Sequence, residues 1–145
     1  MWKRYMLAVL LFTSCMYLRP KQNSMSDLSQ NDWAEGLEAT SEAIVLDVRT
    51  EEEFESGYIP NAINIPFADF INKNGTWKSL EVINKIWNKT RINPHDEWGV
   101  MCGSGVTACH LAISALLVGM NEPSLYVGSW SEWIASKTRP ITTNE

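Results

Sequence analysis

The stretch from Trp98 to Met120 restricts the fold more than any other part of the chain. Trp98-Gly-Val-Met101 reads as a short apolar strand that runs directly into Cys102-Gly-Ser-Gly105, and Val106 to Met120 is apolar enough for a largely buried helix. Strand, tight loop and buried helix in immediate succession form half of a crossover unit, the connection that joins parallel strands. Ala43-Ile-Val-Leu-Asp-Val48 is a second, nearly continuous apolar run, as suits a central strand covered on both faces.

The remaining segments alternate in the same sense. Ser29-Gln-Asn-Asp32 opens a short helix to about Ala39, with Leu28 and Trp33 spaced as a hydrophobic staple. Thr50-Glu-Glu-Glu53 is a capping box, so Arg49 falls at a strand-to-helix junction, and Gly57 ends that helix. Ala62-Ile-Asn-Ile-Pro-Phe67 alternates and meets a proline, as a strand end does. Between Ser79 and Thr90 a helical stripe of Leu80, Ile83, Ile86 and Trp87 packs on the sheet. Leu125-Tyr-Val127 is a last strand, and Ser129-Trp-Ser-Glu132 caps a final helix through Ser136. The expected fold is α/β, a mostly parallel open sheet flanked by helices with right-handed crossovers.

A chain of 145 residues accommodates one such domain. Its expected limits are 26–138, followed by a loose tail over 139–145. The first 25 residues read as a leader: Lys3 and Arg4 precede the apolar run Met6 to Phe12, which is too short to span a bilayer. Two forms are open, a signal peptide and a lipoprotein leader in which Phe12-Thr-Ser-Cys15 supplies a lipid anchor at Cys15. Either places the protein outside the cytoplasm, periplasmic, extracellular or membrane-anchored. The alternative is a cytoplasmic protein that starts at Met25. Beyond residue 25 the chain holds 8 basic and 17 acidic residues, and a body so acidic argues against nucleic acid as a partner.

Cys102 is the candidate nucleophile. In open α/β sheets ligands gather at the carboxyl ends of strands, which is where this cysteine stands. Backbone N–H groups and the positive end of a following helix both lower a thiol pKa from about 8.5 towards neutrality. Gly103 and Gly105 allow consecutive N–H groups to turn inward as an anion nest, and Ser104 and Thr107 add hydroxyl donors. Cys109, inside the apolar helix, reads as core, with a resolving-thiol role as the alternative. His110 beside it receives no role. Cys15, Cys102 and Cys109 form no CxxC pair, and no metal or cofactor is expected.

Taken in order, Asp47-Val-Arg49, Glu53-Phe54, Gly57-Tyr-Ile-Pro60, Ala62-Ile-Asn-Ile-Pro66 and Cys102-Gly-Ser-Gly-Val-Thr107 resemble the rhodanese superfamily from about residue 27 to residue 136. The loop, with Tyr126-Val-Gly-Ser-Trp130 and Glu132-Trp133, is most similar to the catalytic half of 3-mercaptopyruvate sulfurtransferases. The resemblance implies a parallel sheet of about five strands flanked by helices. It also implies sulfur transfer from a small donor to cyanide, a thiol or a protein acceptor, through a persulfide on Cys102. Gly103, Ser104, Gly105, Val106 and Thr107 would then line the bound sulfur, while Arg49 would hold either the loop or an anionic substrate. An ion pair between Arg49 and Asp47 or nearby glutamates is the structural alternative.

The chain also departs from that pattern. Glu51, Glu52, Glu53 and Glu55 follow Arg49 where the mercaptopyruvate enzymes carry further arginine, and Tyr58 replaces the usual His before Ile-Pro. The loop lacks the basic residues of thiosulfate-specific rhodaneses, so weak thiosulfate turnover is expected. The related phosphatases need a longer loop ending in Arg, and Ala108 stands at that sixth position after Cys102. The alternative to an enzyme is a sulfur-carrier or protein-binding module that does not turn over.

Overall fold

The computed structural model describes residues 44–90 and 92–144. The expected leader, the helix from Ser29 and Cys15 lie outside them. Four parallel strands form the sheet: β1 (Ile44–Asp47), β2 (Ile63–Asn64), β3 (Trp98–Met101) and β4 (Ser124–Leu125), in the spatial order β2-β1-β3-β4. The helices are α1 (Glu51–Glu55), α2 (Leu80–Lys89), α3 (Val106–Leu117) and α4 (Ser129–Ala135), with a 3-10 turn at Phe67–Phe70. Among the described residues the sheet thus has four strands where about five were expected.

Alternation along the two central strands assigns each residue to a layer. Leu46 and Val48 of the β1 segment, with Trp98, Val100 and Cys102 of the β3 segment, face the larger core beneath α2 and α3. Val45 and Met101 face the opposite core with Ile59, Tyr126 and Trp133. Burial on both faces explains why both runs read as continuously apolar. β1 pairs with β3 over Ile44–Trp98 to Asp47–Met101, so both strands end level.

Local signals account for the element ends. Thr50 and Glu53 make the reciprocal capping bonds, Glu53 N to Thr50 Oγ1 at 3.2 Å and Thr50 N to Glu53 Oε2 at 3.1 Å. α3 stops at Leu117, short of the expected Met120, because Gly119 takes the left-handed conformation at φ +85°. Gly119 N then bonds Leu116 O and Met120 N bonds Ala115 O, both at 3.1 Å, which is the Schellman pattern. β2 is shorter than expected, since Pro66 has no N–H to continue the ladder and leads into the 3-10 turn.

Within the tail expected to be loose, Arg139, Pro140 and Thr142 are docked. Tyr58 and Thr142 exchange both backbone hydrogen bonds at 2.9 Å, and Trp133 Nε1 donates to Pro140 O at 2.9 Å. Arg139 Nη1 donates to Glu132 O at 3.2 Å, with its guanidinium over the Trp133 ring.

Candidate active site

Cys102 directly follows β3, in a loop between that strand and α3. Its thiol is free and 3% exposed, and Gly105 N–H donates to Sγ at 3.0 Å. Gly105 adopts φ +85° and ψ −17° at the N-cap of α3, which carries no side-chain cap. A Cβ at Gly105 would lie 2.5 Å from the backbone oxygen of Val127, so glycine is required by conformation and by space. A Cβ added at Gly103 would meet nothing within 4 Å. Ser104 and Val106 are exposed and Thr107 is half-buried, so the loop opens to solvent on that side. Gly103, Ser104 and Gly105 thus link Cys102 to α3, whose first residues are Val106 and Thr107. Among the described residues, Gly105 supplies the N–H that reaches Sγ.

The β4–α4 segment holds the other side of the loop. Ser129 Oγ accepts from Cys102 N at 3.1 Å and donates to Tyr126 O at 2.7 Å. Trp130 N donates to Cys102 O at 2.9 Å, Ser131 N to Gly103 O at 3.0 Å, and Ser131 Oγ to Gly103 O at 2.8 Å. The expected cap of α4 by Ser129 does not form: Gly128 is the N-cap, without a side-chain bond. The Ser129 hydroxyl is instead used across the fold, and Glu132 accepts from Tyr126 OH at 2.9 Å. Ser129 and Ser131 were therefore missed as site residues, because the Ser-x-x-Glu spacing reads as a local cap.

Arg49 is 5% exposed, and its ion pair with Asp47 is present. Nε donates to both Asp47 carboxylate oxygens at 3.1 and 2.9 Å, while Nη2 donates to Oδ2 and to Gly57 O, each at 2.7 Å. The guanidinium carbon also lies 4.2 Å from the centre of the Trp130 ring. Arg49 therefore braces the segment that grips the Cys102 loop. Asn64, also missed in the sequence, holds the end of β1 by donating to Asp47 O at 3.0 Å and Arg49 O at 2.9 Å.

Cys109 is half-buried one turn into α3, and His110 packs against Phe67 with ring centres 5.1 Å apart. Among the described residues, no group of three His, Cys, Asp or Glu side chains could hold a metal ion.

Residues 29–136 match the rhodanese-like domain model. The chain belongs to the rhodanese family. It is 43% identical over 79 residues to the human 3-mercaptopyruvate sulfurtransferase, a match spanning 54% of this chain and 27% of that one. It is 40% identical over 83 residues to the thiosulfate sulfurtransferase of Gallus gallus, spanning 57% of this chain and 29% of the relative. A probable 3-mercaptopyruvate sulfurtransferase of Pseudomonas aeruginosa is 36% identical over 111 residues, 70% of this chain and 39% of the relative. The matches therefore span less than half the length of these relatives. Among solved structures, the anaerobic ergothioneine biosynthesis enzyme of Chlorobium limicola, in complex with trimethyl histidine, is similar at a TM-score of 0.69 and 25% identity. That likeness covers 79% of this rhodanese chain and 31% of the other. A structure of EanB bearing a cysteine persulfide with ergothioneine is similar at a TM-score of 0.70 and 25% identity, with the same coverage.

Proposed function

We propose that this rhodanese domain is a sulfurtransferase that carries a sulfane sulfur on Cys102. The observation that carries the reading is the free Cys102 thiol with Sγ 3.0 Å from the Gly105 N–H, at the carboxyl end of a central strand. With thiosulfate, the thiolate would attack the outer sulfur. The sulfur–sulfur bond pair would leave with sulfite, and the cysteine would become a persulfide anion. With 3-mercaptopyruvate, the carbon–sulfur bond pair would leave as the enolate of pyruvate, which takes up the thiol proton. In the second half, cyanide or an acceptor thiolate attacks the outer sulfur, and the bond pair returns to Cys102 as thiolate. No oxidant or metal is needed for this balance.

The surroundings suit a persulfide. The inner sulfur keeps the Gly105 donor, and the first-turn N–H groups of α3, which lack a side-chain cap, are the natural donors to an outer anionic sulfur. The names of the human and Gallus gallus relatives support small sulfur donors of these two kinds, and the EanB structure supports a cysteine persulfide on this fold. Intact-protein mass spectrometry after incubation with either donor is the test. The wild type should gain one sulfur that dithiothreitol removes, and Cys102→Ser should gain none. Absence of the adduct from wild type with both donors, or equal labelling of the variant, would refute the proposal.

A further inference from the structure

Ser129 is fully buried and sits at φ +51°, one of two non-glycine residues with positive φ among those described, the other being Asn61. Asparagine visits that region readily, whereas serine does so at a cost that persists only where surrounding contacts fix it. The contacts here are two hydrogen bonds of a single hydroxyl. It donates to Tyr126 O, which orients it, and its lone pair then accepts the Cys102 N–H. The following residue completes the grip, since Trp130 N takes the Cys102 carbonyl. Both backbone polar groups of Cys102 are thus tied to consecutive residues of the β4–α4 segment. With its backbone polar groups held, Sγ has a defined place against the Gly105 N–H.

We infer that Ser129 is a positioning residue for the reaction at Cys102: its hydroxyl fixes the Cys102 peptide so that Sγ stays within reach of the Gly105 N–H. The inference rests on Cys102 being the reacting thiol. Ser129→Gly and Ser129→Ala both remove the hydroxyl, but glycine relieves the positive φ while alanine keeps it. The two variants therefore separate loss of the hydrogen bond from loss of stability.

The test combines amide hydrogen exchange by NMR, the rate of persulfide formation from thiosulfate, and thermal melting. In both variants the Cys102 and Gly105 amides should exchange about tenfold faster, the scale of one lost buried hydrogen bond, with Leu46 in β1 unchanged. Persulfide formation should slow about tenfold in both, although their melting temperatures differ. Unchanged protection of the two amides would overturn the inference. So would loading rates that follow melting temperature, with Ser129→Gly at the wild-type rate. Should neither variant fold, the wild type decides: a Cys102 amide protected like the core strands supports the bond, and one exchanging as fast as the exposed Ser104 amide overturns it. A wild type that forms no persulfide with thiosulfate or with 3-mercaptopyruvate would refute the sulfurtransferase reading, while the exchange data would still judge Ser129.

Discussion

Gly105→Ala is the sharpest perturbation of the loop, because two independent costs meet at one atom. An L-residue held in the left-handed conformation at φ +85° costs roughly 1–2 kcal/mol. The added Cβ would also stand 2.5 Å from Val127 O, a backbone atom in the segment between β4 and α4. Yielding to that overlap costs about 1–3 kcal/mol, as overpacking does elsewhere. The sum is about 3 kcal/mol, or a fall in melting temperature of roughly 10 °C for a domain of this size. Relaxation can proceed by moving Val127 away or by rotating the 105 peptide, and either disturbs the Gly105 N–H that meets Sγ.

Gly103→Ala is the matched control, since a Cβ there meets nothing within 4 Å and Gly103 has no positive φ. Its stability should stay within about 0.5 kcal/mol of wild type. Thermal melting by circular dichroism gives the first readout and persulfide formation the second. Gly105→Ala should lose both stability and sulfur loading, and Gly103→Ala should keep its stability. A Gly105→Ala protein melting within about 2 °C of wild type and loading sulfur normally would refute the geometry described for the loop.

Arg49→Ala should destabilise by about 3–5 kcal/mol in urea titrations, because it leaves the fully buried Asp47 carboxylate without its partner. Arg49→Lys should recover only part, since one ammonium cannot replace the fork that bridges Asp47 and Gly57 O over Trp130; full recovery would contradict this account. At alkaline pH, burial first and then the hydrogen bond to Glu132 raise the Tyr126 pKa above its ordinary 10.0. The folded state therefore keeps a proton that the unfolded chain releases, so this contribution is complete below about pH 10 and is lost as pH rises further. Tyr126→Phe should flatten the fall in melting temperature between about pH 9 and pH 11, and equal slopes for the two proteins would refute it.

What could be read in the sequence, and what could not, follows the range of the interactions. β3 at Trp98–Met101, the Thr50–Glu53 box and the loop round Cys102 are written in neighbouring residues, and the structure has each where it was expected. Ser129 is the opposite case. Its local spacing to Glu132 spells a cap, but its partner is the amide of Cys102, 27 residues earlier, and tertiary pairing outweighs the local preference. Asn64 likewise acts on carbonyls 15 and 17 residues away. The tail reads as loose because Pro140 and Thr142 carry no pattern of their own, and their partners are Trp133 and Tyr58.

The way these contacts are shared decides which residues can change without loss of the fold. Arg49 links the end of β1 to Gly57 and to the Trp130 ring, and Trp130 N holds the Cys102 carbonyl, so one chain of contacts runs from the core pair to the thiol. A change anywhere along it must alter stability and the geometry at Sγ together. Gly103 and Ser104 lie outside that chain on the open side of the loop, where an added side chain meets solvent rather than backbone. Substitutions there can change what approaches the sulfur while the bonds to Ser129, Trp130 and Gly105 keep Sγ in place. Gly103 and Ser104 are therefore the loop positions where substitution is expected to leave the Asp47–Arg49 pair and the two cores undisturbed.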